Sequence, residues 1–524
     1  MSPPANRDIR VARDYHDRTA HSDWSVRQSG NYLDWEIKPV LYKVYPDLPA
    51  IQLPRDLPLP AADALEALSG VRGSGGRLTL PALVALLFFS AGLTRKKTYP
   101  GGEEMHFRAA PSTGALYQTE VYVVTGGLPD LAAGVYHYCP GDSALRRLRE
   151  GDFRPELAAA AADPGIARAP AALVLTAIYW RNTWKYQARG YRHLFWDSGT
   201  MLANLLATAS GLSLDARLVT GFVDSRVNRL LGLDPEKEGS LELAVVSDSD
   251  PTSPADRATA AGSAGAIVEP IAPRSLPLSS REVDYPLLRE MHAASSLEDA
   301  GEVSQWRSGQ ELRRLDPPSD LLSLPPPRRR AGPGLGETII RRASTREFAR
   351  VSISAEELST VLFHATRGAP ADFPSGLVDL YLIVNAVEGI PPGAYRYWPS
   401  SHGLELLRAG EFRAQAGHLC LEQALGADAS CVVFFLADLA RIVERCGNRG
   451  YRVANLEAGL IGGRCYLGAY AQGFGASGLT FYDGEVVGFF SPHAEGKDAI
   501  FVTVLGRSVK GTPRSSVPLQ ITRS

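Results

Sequence analysis

The sequence predicts an α+β protein made of two copies of one domain, and three observations carry that prediction. Short motifs recur at one long offset. Gly134-Val135-Tyr136-His137-Tyr138 is followed 259 residues later by Gly393-Ala394-Tyr395-Arg396-Tyr397, and Leu148–Arg154 by Leu407–Arg413 at the same offset. Arg189-Gly190-Tyr191-Arg192 returns 260 residues on as Arg449-Gly450-Tyr451-Arg452, and Asp224 meets Asp483 at 259. Between these markers, helical and strand periodicities follow one another in the same order in both halves. The period is far longer than that of a solenoid, so the chain reads as a duplicated domain.

Each copy begins with an apolar helix, Leu80–Phe89 in the first and Ala355–His364 in the second. A β-rich run follows, Glu120–Val124 and Leu380–Val384, and then the Gly-x-Tyr-x-Tyr strand. A buried strand comes next, Ala172–Ile178 and Cys431–Leu436, then a long helix of small residues, Asp197–Ser210 and Glu457–Gln472. Leu241–Val246 and Ala499–Leu505 close the two copies. The expected organisation is an extension at 1–60, a first domain at 61–247, a linker at 248–336 with a short helix near Tyr285–Glu298, a second domain at 337–510 and a tail at 511–524.

The 524 residues are 45% hydrophobic and 21% charged, with a net charge of −2, so ordinary globular cores are expected. No basic block points to nucleic acid, and no apolar run of about 18 residues points to a membrane helix. The start, Met1–Arg7, lacks the apolar stretch of a signal peptide, and the default location is the cytoplasm. The five cysteines form no C-x-x-C, so neither a metal site nor a disulfide framework is expected.

Three segments carry candidate chemistry. Arg341, Arg342, Ser344 and Arg346 precede the first helix of copy two, where forked guanidiniums and helix-start N–H groups suit a phosphate. On spacing alone the same run also fits a solvated surface cluster. Pro111, Ser112 and Gly114 form a turn able to bring backbone donors against a flat ring, or simply to join a helix to a strand. Lys185 and Tyr186, at the exit of a buried strand, suit a general base and a proton partner, or an exposed lysine beside an aromatic anchor.

Taken together these segments resemble the SagB/ThcOx-type dehydrogenases, a branch of the nitroreductase superfamily. Arg341–Phe348 resembles the superfamily's Arg-Arg-Ser-x-Arg-x-Phe phosphate motif, with Ala343-Ser344 displacing the serine by one place. Pro111–Tyr117 resembles the branch's Pro-Ser-Ala-Gly-Ala-x-Tyr-Pro motif, with Gln118 in place of the last proline. Lys185-Tyr186 matches the Lys-Tyr pair of its azoline-oxidising members. The resemblance implies a mostly antiparallel sheet flanked by helices, and an internal pseudo-dimer that binds FMN where the halves meet. It further implies that backbone N–H groups at Gly475, Ala476, Ser477 and Gly478 meet the flavin ring. Arg507 or Lys510 would add to the phosphate site, and Gly221-Phe222 and Leu479–Asp483 would lie along the ring edge.

The copies diverge in complementary ways. Copy two keeps the arginine motif but has Arg445-Cys446 in place of Lys185-Tyr186 and a shortened turn at Phe373–Val378. Copy one keeps the turn and the Lys-Tyr pair, while its phosphate region has become Arg72-Gly73-Ser74-Gly75-Gly76-Arg77. One interface therefore receives the intact elements and the other the degraded ones. The expected activity is FMN-dependent removal of two electrons from a C–H substrate, by resemblance a thiazoline or oxazoline in a modified peptide, with a cyclodehydratase as possible partner. Two other readings stay open: a nicotinamide-dependent reductase of nitro, quinone or enone compounds, and a non-catalytic scaffold for a peptide or partner enzyme.

Overall fold

The computed structural model describes residues 5–510 apart from 29–31, 55–56, 58, 71–74, 103, 250–267 and 311–315. Arg72–Ser74, half of copy one's glycine-rich phosphate region, and the tail 511–524 lie outside the described residues. Each copy is built on a seven-stranded antiparallel sheet. In copy one the order is Ala50–Gln52, Ala144–Glu150, Gly134–Cys139, Thr119–Thr125, Ala171–Ile178, Glu238–Ser247, Asp215–Val219. In copy two it is Leu322–Ser323, Gly403–Ala409, Gly393–Trp398, Asp379–Val384, Cys431–Ala437, Asp498–Gly506, Gly475–Gly478.

The two sheets share their irregularities. Register shifts fall between Val135/Tyr136 and Ala394/Tyr395, and between Leu175/Thr176 and Phe435/Leu436. An extra residue at the same place in both copies is a built feature of the domain. Each copy also takes its first edge strand from outside the expected bounds: Ala50–Gln52 from the extension and Leu322–Ser323 from the linker. Strands of two or three residues are too short for their pattern to be read from sequence.

The first helices start as their sequences dictate. The Thr79 hydroxyl accepts from Ala82 N at the head of Leu80–Ala91, with Pro81 in the first turn. Ser354 and Glu357 form a reciprocal capping box ahead of Ala355–Ala365. Among its described residues the linker contributes the helices Pro286–Ala294 and Ala300–Ser308.

The long helices, Gly190–Gly211 and Arg449–Ala471, begin earlier than expected and are buried on nearly every side. They cross where Gly199 meets Gly459. A Cβ on Gly199 would lie 2.6 Å from Leu456 O, and one on Gly459 would strike the Trp196 carbonyl. Glycine is required there because the two backbones touch. The repeated Arg-Gly-Tyr-Arg segments open these helices, and each reaches across to the other copy. Arg189 and Arg192 hold Asp483, while Arg449 and Arg452 hold Asp224, at 2.5–3.0 Å in buried surroundings. The repeat markers are thus the two ends of a pseudo-twofold interface.

Candidate active site

Lys185 and Tyr186 lie in the last turn of a helix, Tyr179–Tyr186. The chain then breaks sharply at Gln187, with φ 51° and ψ −145°, before entering the long helix. The matching residue of copy two is Gly447, at φ 64° and ψ −167°. Glycine adopts this conformation freely and glutamine does not, so the turn behind Tyr186 stores backbone strain.

The Pro111–Tyr117 turn faces Tyr186. Gly114 has φ 65°, and a Cβ there would lie 2.9 Å from the Tyr186 hydroxyl. Asp197 of the long helix holds the turn, accepting from Ser112 Oγ at 2.6 Å, Thr113 N at 2.8 Å and Gln118 Nε2 at 2.7 Å. Pro111 O accepts from Thr200 Oγ1 at 2.9 Å. The Ser112 hydroxyl is therefore spent on shaping the turn. Burial raises the Asp197 carboxyl to about 6 against these donors. Tyr186 packs edge-on to His193, ring centres 4.5 Å apart. Burial, and then Asp197, push its hydroxyl above the usual phenol range. Lys185 Nζ sits 5.3 Å from the Tyr186 ring centre; burial lowers its pKa, and the Arg346 guanidinium lowers it further.

That influence of Arg346 marks the meeting of the copies. After the short helix Leu335–Arg341 the chain leaves the helical conformation at Arg342 (φ −59°, ψ 130°), and exposure rises along the segment from buried Arg342 through half-buried Ser344 to exposed Arg346. Arg342 donates to Ala109 O at 3.1 Å and Arg108 O at 2.9 Å, gripping copy one just before the turn. Ser344 Oγ meets the Tyr466 hydroxyl at 3.0 Å, and that hydroxyl accepts from Gly478 N at 2.6 Å. Thr345 N donates to Ala476 O at 2.9 Å, stitching the arginine segment to the edge strand Gly475–Gly478. Arg341 instead points outward to Glu337 at 3.1 Å. Arg507 is held by Glu357 at 2.7 and 2.8 Å, and Lys510 is exposed at the end of the described chain.

The aromatic-rich extension, which its sequence leads one to expect packed on a domain, packs beside the Lys185-Tyr186 helix. Trp35 packs edge-on to Trp184 at 5.2 Å, Trp184 Nε1 donates to Asp34 O at 2.8 Å, and Leu33 and Ile37 join the apolar cluster that includes Leu116 and Tyr186. His21 N donates to Asp483 at 2.8 Å, and its ring lies 3.3 Å from Thr480 Oγ1. Residues 1–60 are rich in aromatics, which is the signal that they pack here rather than dangle.

The pseudo-equivalent site differs in what fills it. In copy one the edge strand is covered by copy two: Leu218 N donates to Pro370 O and Asp372 N to Leu218 O. The Asp372 carboxylate takes Thr220 N at 2.7 Å and Gly221 N at 2.9 Å, and Arg307 caps it at 3.2 Å. Trp306, buried, packs its ring on Gly221 and donates to Cys446 O at 2.9 Å. Arg445 is exposed and Cys446 buried. At the intact site Gly478 is exposed, Leu479 and Thr480 are half-buried, and Thr480 N has no hydrogen-bond partner among the described residues.

A flavin mononucleotide fits what the intact site leaves unsatisfied. The Ser477 hydroxyl is buried without a partner, Thr480 N–H is open, and Arg342 and Arg346 have no carboxylate in ion-pair range among the described residues. A flat acceptor-edged ring with an anionic tail satisfies all of these. A separate cavity of about 980 Å³ lies between copy one and linker residues 271–289, and none of the residues above from the intact site lines it.

The model of the nitroreductase family matches residues 81–246 and 339–500, more than half of the chain and once in each copy. The chain belongs to the nitroreductase family. It is 32% identical to a putative nitroreductase of Methanocaldococcus jannaschii over 187 residues, 35% of this chain and 90% of that protein. It is 28% identical to the trifolitoxin-processing protein of Rhizobium leguminosarum over 260 residues, 45% of this chain and 69% of that one. It is 31% identical to the microcin B17-processing protein of Escherichia coli over 143 residues, covering 24% of this chain and about half (49%) of that one. A crystal structure of a putative nitroreductase from Anabaena variabilis superposes with TM-score 0.74 at 27% identity, over 95% of this chain and 99% of the other. The expected fold is thus found in full, and the two processing proteins agree with the SagB/ThcOx-type resemblance.

Proposed function

We propose that this family member is an FMN-dependent dehydrogenase with one active site per chain, assembled from Lys185, Tyr186 and the Pro111–Tyr117 turn of copy one and Arg342, Ser344 and Arg346 of copy two. The observation that carries the reading is the asymmetry of the two interfaces: one leaves the Ser477 hydroxyl and the Thr480 N–H without partners, and the other is filled by Trp306 and Asp372. Arg342 and Arg346 would hold the phosphate, and the half-buried Thr480 would offer its N–H to the ring edge. When bound, the isoalloxazine accepts two electrons from the substrate.

Lys185 removes the proton. Its lowered pKa makes the neutral amine more accessible, as a base working near neutrality requires. Tyr186 keeps its proton because burial disfavours the phenolate, so it orients the substrate as a hydrogen-bond donor. Likeness to the two toxin-processing proteins favours an azoline ring in a modified peptide, oxidised to the azole, with the cyclising enzyme as partner.

The test is the flavin released by acid, measured against protein concentration. One FMN per chain is expected. A ratio near two overturns the single-site reading, and no flavin uptake at all overturns the cofactor.

A further inference from the structure

Copy one carries an insertion between its first helix and the Pro111 turn, a hairpin of Leu93–Thr98 and Glu104–Arg108. Its cations are treated differently. Lys96 is paired with Glu104 at 2.6 Å, and Lys97 lies over the Tyr99 ring at 4.4 Å. Arg95 is half-buried, stacks on Phe107 at 4.2 Å, and has no ion-pair partner among the described residues.

The hairpin register brings this arginine to the intact site. Arg95 stands opposite Phe107, next to Arg108, whose carbonyl accepts from Arg342. Arg95 and Arg342 share Tyr117 and Tyr470 as neighbours, and the Arg95 charge acts on the Arg342 guanidinium. Burial lowers the pKa of both, and no carboxylate offsets them. Two partly desolvated like charges held together are unfavourable unless an anion sits between them.

We propose that Arg95 is a third phosphate-binding arginine, supplied by copy one to the same anion as Arg342 and Arg346 of copy two. The site thereby clamps the cofactor tail from both halves, which ties cofactor binding to the closed interface. The inference rests on the cofactor reading of the composite site.

The test compares FMN with riboflavin, which lacks the phosphate, by fluorescence titration of the flavin-stripped full chain. Arg95→Met is expected to weaken FMN binding about tenfold or more, the worth of one charge-assisted hydrogen bond, and to leave riboflavin affinity unchanged. Arg95→Lys is expected to recover part of the loss. Inorganic phosphate is expected to compete with FMN but not with riboflavin, and less well in Arg95→Met. Equal losses for both flavins would make Arg95 a packing residue and overturn the inference. So would unchanged FMN binding in Arg95→Met alongside lost binding in Arg342→Met, which leaves the composite site standing. A wild-type chain that does not distinguish FMN from riboflavin overturns the inference and the cofactor reading together.

Discussion

Replacing Asp224 with asparagine tests whether the repeat markers hold the halves together. Asp224 accepts from Arg449 and Arg452 at 2.7 Å each and from Leu297 N at 3.0 Å, and all three charged groups are buried. Asparagine keeps the shape but leaves two guanidiniums without an anion. Breaking a buried pair in this way costs about 3–5 kcal/mol. At roughly 2 cal/mol/K per residue over 524 residues, each kcal/mol is about 1 °C, so the melting temperature at neutral pH is expected to fall by about 3–5 °C. The effect must also depend on pH. The two arginines and the Leu297 amide hold the Asp224 carboxyl at about 2 against its burial, compared with about 3.9 in an unfolded chain. A depressed folded pKa contributes stability above the unfolded value, and that stability is lost as pH falls towards 2. The full contribution is roughly 2.6 kcal/mol, of which about 1 kcal/mol is gone by pH 3. Urea midpoints of wild type and Asp224→Asn, measured from about pH 6 down to about pH 3, should therefore converge. A gap that stays constant with pH, or a melting temperature unchanged at neutral pH, would refute the reasoning.

Glu242 carries the opposite sign. Burial beside Phe195, Leu241 and Leu456 raises its carboxyl to about 8, so the folded form keeps a proton that the unfolded form loses above about 4.3. Stability is lost as pH rises from there towards 8, and Glu242→Gln should gain on wild type over that window; equal melting curves at both ends would sink the idea. Lys185→Ala and Tyr186→Phe should keep bound flavin yet reduce it with substrate about a hundred to ten thousandfold more slowly, seen by stopped-flow absorbance. Arg445→Ala should leave that rate unchanged, and a reversed result would move the chemistry to the other interface. Trp306→Ala should cost about 3–5 kcal/mol by chemical denaturation, as removal of a buried aromatic does, while flavin content stays at one per chain because Asp372 still occupies the edge amides; a second equivalent of flavin would show that the plug was the sole barrier.

The sequence by itself determined the duplication, the order of elements, and the division of intact motifs between the copies. These are local properties: periodicity, turn residues and motif spacing survive in one dimension. The sequence also exposed Arg189, Arg192, Asp224 and their repeats, but only as register marks. Their pairing across the interface depends on helices that cross at Gly199 and Gly459, a contact between residues 260 apart. Arg341 and Arg342 were both legible as phosphate candidates, and the structure gives them different partners, Glu337 for Arg341 and copy one's carbonyls for Arg342. Likewise Lys185 and Tyr186 were legible as a pair, whereas the helix that carries them and the strained Gln187 behind them were not. Only the tertiary structure decided how the second site is filled. Trp306 lies in the linker, Asp372 in a loop of copy two and Thr220-Gly221 in copy one, and no local pattern links three segments that meet only because the copies pack together through their long helices.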